Sequence, residues 1–297
     1  MKILCAGDLH ARERAPRNRV DNFYMTMIGK LHWILATARK VAADVVVFPG
    51  DVFDSFRASD SLKRVLILHF MGTDVFCVAG QHDQRRHTQD LSNTPLGVLE
   101  ASGVVRILNQ RPEVLSRCAF YGASWGEEVP RIEHGDYFNV LAIHRMIIKG
   151  RQLWPGQEGY IAAKNLLRRT GFDLIVSGDN HQFFQEELYG RRLVNCGSVM
   201  RQSIDQWDHE PAVVVVDTGG DGSVEAIPIP IVPSERVFDL ARSSEEKAKS
   251  EDLERYVDAL ADVSEHEDLN FVRFLTSYMV ANGVEGPVQE VIREAMR

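Results

Sequence analysis

Five short apolar runs in this 297-residue chain each end on residues able to hold a metal ion, and that recurrence limits the folds open to it. Asp44-Val45-Val46-Val47-Phe48 is β-branched and aromatic, and Pro49-Gly50 breaks it just ahead of Asp51. A run of that length and composition, closed by Pro-Gly, reads as a fully buried strand. Ile3 to Gly7 leads in the same way to Asp8 and His10, and Val75 to Gly80 leads to Gln81, His82 and Asp83. Phe138 to Ile143 leads to His144, and Leu174 to Gly178 leads to Asp179 and His181. Open α/β sheets place their chemistry beyond the carboxyl ends of their strands. Five such ends lying side by side bring their polar residues to a single rim.

The intervening segments predict helices and a second sheet. Phe23, Met27, Leu31, Ile34, Leu35 and Ala38 recur at spacings of three and four, so Asp21 to Ala43 reads as a helix with Asp21 as its N-cap. Ser59 to Phe70, Pro95 to Ala101 and Tyr160 to Arg169 are further helices, while Val104 to Leu108 and Cys118 to Ser124 are expected as strands of a second sheet. Arg145 to Gln157, with Trp154-Pro155-Gly156, reads as a loop over the rim. Hairpins are expected around Tyr189-Gly190-Arg191 and around Thr218-Gly219-Gly220-Asp221-Gly222. Helix–strand alternation at the front and hairpins at the back give a layered α/β/β/α sandwich with a small helical C-terminal appendage.

Pro228, Pro230 and Pro233 close the body, giving units 1–233 and 234–297. The tail contains three amphipathic helical stretches, Glu245 to Val263, Leu269 to Asn282 and Val288 to Met296, and reads as a cap or as a partner-docking region. Of the net charge of −8, most belongs to this tail: 8 Lys+Arg stand against 15 Asp+Glu from Ser234 onward, leaving 26 against 27 in residues 1–233. A near-neutral body can carry a local basic face, so the acidic total does not exclude a nucleic-acid substrate. Cys5, Cys77, Cys118 and Cys196 sit in expected strands at scattered spacings, as buried reduced thiols do. Neither a secretory leader nor a membrane span is expected, which suggests a cytosolic protein, or one of the host cytoplasm if phage-encoded.

Hard divalent cations favour oxygen and imidazole ligands, and paired ions about 3.5–4 Å apart share a carboxylate. Asp8, His10, Asp51, Gln81, His144, Asp179 and His181 supply such a ligand set, with Asp51 as the expected bridge. A water shared by two cations loses its proton readily and can attack phosphorus. His82 follows a ligand directly and is expected as general acid to the leaving oxygen, with Asp83 or Asp54 fixing its tautomer. Each motif alone is weak; the ordered series DxH, GDxxD, GxHD, H and GxxH, each after an apolar run, is what points to this chemistry.

That series resembles the calcineurin-like metallophosphoesterases over about residues 1–233, and GDVFDS with NCGSVMRQSIDQ (Asn195 to Gln206) is similar to SbcD-type exonuclease subunits, particularly short bacteriophage-type versions. The resemblance implies a two-manganese site (magnesium the alternative) and 3′-to-5′ exonuclease and endonuclease activity on DNA. It also implies an SMC-like ATPase partner of the SbcC type in DNA repair and recombination, and a homodimer formed through helices near GDVFD. Two positions depart from the family pattern: Gln81 replaces the usual asparagine of GNHD, and Asp179 replaces a histidine of GHxH. Both keep donor oxygens.

Arg12, Arg14, Arg17, Arg19, Arg85, Arg86 and Arg145 follow the strand ends and are expected to ring the metals, where they suit phosphate contacts. Trp154, Tyr160 and Trp207 either stack on bases or pack locally. A small-substrate phosphodiesterase of the same superfamily and a non-catalytic interaction module retaining the fold stay open as alternatives.

Overall fold

Successive side chains of each buried strand point into different layers of the fold. A computed structural model describes residues 1–150, 158–219, 223–239 and Met279. Its first half runs β1 (Lys2–Cys5), α1 (Phe23–Lys40), β2 (Val45–Phe48), α2 (Asp60–Phe70), β3 (Val75–Cys77), α3 (Pro95–Ala101), β4 (Arg106–Ile107), β5 (Glu113–Leu115) and β6 (Cys118–Ala123). There follow β7 (Phe138–His144), β8 (Ile147–Ile148), β9 (Ile161–Ala162), α4 (Ala163–Thr170), β10 (Leu174–Gly178), β11 (Phe184–Leu188), β12 (Arg191–Asn195), β13 (Ala212–Asp217) and β14 (Val224–Pro228).

One six-stranded sheet is ordered β14-β13-β1-β2-β3-β4 and the other β11-β12-β10-β7-β6-β5; β8 and β9 form a separate pair. The strands that carry the rim residues are parallel to their neighbours β1–β2–β3 and β7–β10, so their carboxyl ends lie together within each sheet. Strands β2 and β10 are buried along their whole length, as parallel strands covered on both faces are. Ile3, Val45, Val47 and Phe76 face Phe120, Val140, Leu174 and Val176 in the layer between the sheets. Leu4, Val46 and Phe48 point the other way, under α1 and α2, and Tyr121, Leu141 and Ile175 lie under α4. Phe76 and Phe120 meet edge to face with centroids 5.0 Å apart, an arrangement worth about 0.5–1.5 kcal/mol beyond its burial. The α/β/β/α order expected from the sequence is the order observed.

Local details differ from the sequence expectations. Helix α1 is capped by Asn22, whose side chain accepts from the Met25 N–H, because Asp21 is engaged by Arg19 and Thr26. Residues Arg106–Ile107 pair with β3 and therefore belong to the first sheet, not the second. The chain runs from β3 through α3 and returns parallel beside β3, as a short crossover does. Ile147–Ile148 pairs with Ile161–Ala162, so the start of the expected rim loop is a strand; 151–157, including Trp154, lies outside the described residues. The chain divides into compact units Met1–Asp239 and Leu240–Arg297. The first passes the expected boundary at Pro233 because Arg201 holds Ser234 and Phe238 stacks on Trp207. The three expected tail helices lie outside the described residues. Among the described residues no helix is long and apolar enough to cross a membrane.

Candidate metal centre

The two sheets bring the five strand ends to one cluster. His10 Nε2 lies 3.1 Å from His181 Nε2 and 3.7 Å from Asp51 Oδ2. His144 Nε2 lies 3.3 Å from the same Asp51 oxygen, and His181 Nε2 lies 3.7 Å from Asp8 Oδ2. Ligand atoms of Asp8, His10 and His181 lie within 4.8 Å of one another, as do those of Asp8, Asp51 and His144, and those of His10, Asp51 and His82. Asp8 and Asp51 are fully buried.

Crowding of this kind requires special backbone. His10, Asp51 and Asp179 all have positive φ (47°, 44° and 77°), a conformation costing a non-glycine residue about 1–3 kcal/mol. Gly50 sits at φ 115°, and any Cβ there would run into the His144 ring. A Cβ on Gly80 would meet the Asp51 carboxylate, and one on Gly178 would come within 2.5 Å of Asp8 Oδ1. These glycines let loops from different sheets close on the ligands.

The charges are arranged for cations. Burial pushes the Asp51 carboxyl up, but His144, aided by His10, outweighs it and holds Asp51 at about 2. Burial likewise lowers His144, yet Asp51 outweighs it and holds the imidazole up at about 10. Without a cation this imidazolium supplies the compensating positive charge. Asp8 is held well above the usual carboxylate range by burial, with Asp51 adding to the effect against the opposing pull of His144. Burial takes His10 down to about 3, leaving it neutral as a ligand must be.

The residues fit divalent ions. Asp8 Oδ1, Asp51 Oδ2, Gln81 Oε1 and His144 Nε2 are buried without a hydrogen-bond partner; His144 and Asp51 are close but misaligned for one. Buried polar atoms are ordinarily satisfied, so four converging exceptions with oxygen and imidazole chemistry are candidate ligand atoms. His144 Nδ1–H donates to the Pro49 carbonyl, which leaves Nε2 as its ligand atom. The two departures from the family pattern touch: Gln81 Nε2 donates to Asp179 Oδ1 at 3.0 Å. The longer glutamine side chain thus has a carboxylate partner that anchors its nitrogen.

Other expected residues take different places. His82 is exposed, and its Nδ1–H donates to the backbone carbonyl of Asp54, leaving Nε2 free. Of the two residues expected to fix that tautomer, Asp54 holds the ring, through its backbone carbonyl rather than its carboxylate, whereas the Asp83 carboxylate is engaged elsewhere. Asp83 turns inward: its carboxylate accepts from the backbone N–H groups of Val52, Phe53 and Gly80. The Asp54 carboxylate instead lies 3.7 Å from His10 Nδ1 and 3.0 Å from Arg12. Arg14, Arg17, Arg85 and Arg86 are exposed, while Arg12 and Arg145 are half-buried, Arg145 donating to the Glu127 carbonyl. Arg19 does not ring the site. It is buried, clasped by Asp21 and donating to the Arg201 carbonyl, so it fixes the chain rather than presenting charge. Trp207 packs on Phe238 with rings 6.0 Å apart.

Sequence reasoning missed several supporting residues. Asn195 donates to the carbonyls of Asn180 and Gln182 and accepts from Ser177, holding the loop that carries Asp179 and His181. Arg57 joins Arg12, Arg14 and Asp54 around a cavity of about 230 Å³. A second cavity, of about 400 Å³, is walled by Asp179, His181, Asp205, Gln206 and His209. Arg57, Asp205, Gln206 and His209 neither fall in a periodic pattern nor follow an apolar run directly; the Asn195 to Gln206 stretch stands out only by resemblance.

Fold and site together define a hydrolase of phosphoester bonds with a side-chain cluster able to hold divalent metal. The family model for calcineurin-like phosphoesterases matches residues 1–183, more than half of the chain, and the chain belongs to that family. Two curated relatives are archaeal proteins, each named DNA double-strand break repair protein Mre11. The one from Haloferax volcanii is 25% identical over 221 residues, covering 70% of this chain and 47% of its own. The one from Halobacterium salinarum is 24% identical over 221 residues, covering 70% and 54%. The chain thus spans about half the length of these relatives. Among solved structures, TT1561 of Thermus thermophilus is similar in fold: TM-score 0.50, 13% identity, 77% of this chain and 99% of that one.

Proposed function

We propose that this protein is a manganese-dependent DNA nuclease, with magnesium as the alternative ion, that cleaves phosphodiesters as a 3′-to-5′ exonuclease and endonuclease. In this reading it serves as the nuclease subunit of an SbcCD-like repair complex, beside an SMC-like ATPase and as a homodimer. The observation that carries the reading is the adjacency of the buried ligand cluster to a cavity lined by Arg12, Arg14 and Arg57. Asp54 belongs to both: it lines the cavity and lies beside His10. Guanidiniums beside a metal cluster suit a polyanion, because phosphate contacts position a backbone without reading its sequence. The two Mre11 relatives support DNA as the substrate.

Two divalent ions would be held by Asp8, His10 and His181 on one side and by Asp51, His144, Gln81 and Asp179 on the other, with Asp51 shared. They would supply Lewis-acid stabilisation of charge on the phosphoryl oxygens and an activated water. The chain's own groups do the rest. The Asp54 carbonyl accepts the Nδ1 proton of His82, so Nε2 is the atom from which the doubly protonated ring would give a proton to the leaving oxygen as general acid, leaving the neutral Nδ1–H imidazole. The His82 backbone N–H donates to Asp51 Oδ1 at 2.9 Å, tying that imidazole to the shared carboxylate.

The test is 3′-end shortening of 5′-labelled duplex DNA with Mn²⁺, run beside hydrolysis of bis-p-nitrophenyl phosphate. DNA shortening that is lost in His82→Ala supports the nuclease. Cleavage of the small diester with DNA left intact would move the assignment to a small-substrate phosphodiesterase.

A further inference from the structure

Outside the ligand set, one turn connects two ligand-bearing segments that are far apart in sequence. The Asp8 N–H donates to the Gly197 carbonyl, and the Val199 N–H donates to the Asp8 carbonyl, so Asp8 is clasped on both sides by Gly197–Val199. In the middle of that clasp, the Ser198 N–H donates to the carbonyl of His181. Asp8 and His181 are the two ligands whose side chains approach to 3.7 Å. A displacement of Ser198 therefore moves both.

Ser198 is fully buried and held by two later residues. His209 Nε2–H donates to the Ser198 carbonyl at 2.7 Å, and Gln206 Nε2 donates to Ser198 Oγ at 2.8 Å. The Ser198 hydroxyl donates to the Met200 carbonyl, and Gln206 Oε1 accepts from the Gln202 N–H. Gly197 admits this arrangement: at φ 70° its missing Cβ would fall 2.6 Å from the His181 carbonyl oxygen and 3.0 Å from His209 Cε1. The imidazole and the ligand-bearing loop thus close on the turn from two directions.

We infer that His209 and Gln206 are positioning residues of the metal centre, setting the separation of Asp8 and His181 through Ser198. The inference rests on the metal-site reading above and concerns residues outside its ligand set. Hydrogen bonds behind a ligand shell fix its orientation, and their loss typically lowers metal affinity about 10–100-fold. Packing alone does not require the donor atom, which separates this role from a purely structural one.

The experiment is calorimetric titration of the full-length, chelator-stripped protein with Mn²⁺, with the metal-free melting temperature measured alongside. His209→Phe keeps ring volume and removes the donor; His209→Gln returns an amide N–H near the Nε2 position. Affinity should fall about 10-fold or more in His209→Phe, with the metal-free melting temperature little changed, and recover in His209→Gln. Wild-type affinity in His209→Phe, or equal loss in both variants, would overturn the inference. Should His209→Phe fail to fold, Gln206→Met removes the other donor to Ser198 and carries the same expectation and the same refutation. A wild-type protein that takes up no Mn²⁺ in this titration would instead overturn the metal-site reading, and the inference with it.

Discussion

Replacing Asp83 with asparagine separates a catalytic role for this residue from a structural one. Its carboxylate is fully buried and accepts three backbone N–H groups: Val52 at 3.2 Å and Gly80 at 3.0 Å on Oδ2, and Phe53 at 2.9 Å on Oδ1. Those donors belong to the two loops that carry Asp51 and Gln81-His82. Asparagine can keep the two bonds to Oδ2, but its NH₂ then faces the Phe53 N–H, donor against donor. Two buried donors left unpaired, at about 1–3 kcal/mol each, give an expected destabilisation of roughly 2–6 kcal/mol. Urea unfolding in chelator measures it, and a Mn²⁺ titration of the folded fraction should show weakened binding because the two loops separate. The reasoning is refuted if Asp83→Asn unfolds at the wild-type midpoint and binds Mn²⁺ normally while losing activity. That pattern would return Asp83 to the chemistry.

Further outcomes are expected at the site and around it. Because His144 is held at about 10 and must be neutral to ligate, Mn²⁺ binding near pH 7.5 should expel its proton, so apparent affinity should rise about tenfold per pH unit for each proton released; calorimetry in buffers of different ionisation enthalpy counts the protons. In chelator the sign reverses for stability: the raised His144 contributes fully below its unfolded pKa of about 6.5, and that contribution is lost as pH rises towards 10, which unfolding midpoints across that window would show. Gln81→Asn and Asp179→His should each weaken Mn²⁺ binding, and the double variant should be non-additive, since paired residues couple by about 0.5–3 kcal/mol; strict additivity would count against their contact. Arg14→Ala should reduce the salt slope of DNA binding by about 1, whereas Arg19→Ala should lower the unfolding midpoint, because Arg19 is buried against Asp21.

Where sequence signals are local, they pointed to strand ends that the fold brings together. An apolar run followed by Pro-Gly or Gly and then a carboxylate or imidazole is a strand with a polar residue at its end, and all seven proposed ligands lie at such ends around the cluster or beside it. The α/β/β/α layering was legible from helix–strand alternation at the front and hairpins at the back, and the unbroken burial of β2 follows from its composition. Sheet membership was not: nothing within Val104 to Leu108 says which sheet it will extend, and its place beside β3 follows from the path of the chain. Adjacency in sequence misled for Asp83, because the turn marked by its N–H bond to the Gly80 carbonyl sends its side chain inward, away from His82. Charge alone misled for Arg19, whose partners Asp21 and Arg201 are brought together only by the fold. Gln206 and His209 lie around a short 3-10 turn with no periodicity, so only tertiary hydrogen bonds reveal them.

The most direct test of the account is anomalous diffraction from crystals of the full-length protein grown with Mn²⁺. Two manganese peaks are expected about 3.5–4 Å apart with the Asp51 carboxylate between them, one ion on the Asp8, His10 and His181 side and the other on the His144 side. Manganese bound elsewhere with this cluster bare, or a single ion that Asp51 does not touch, would contradict it.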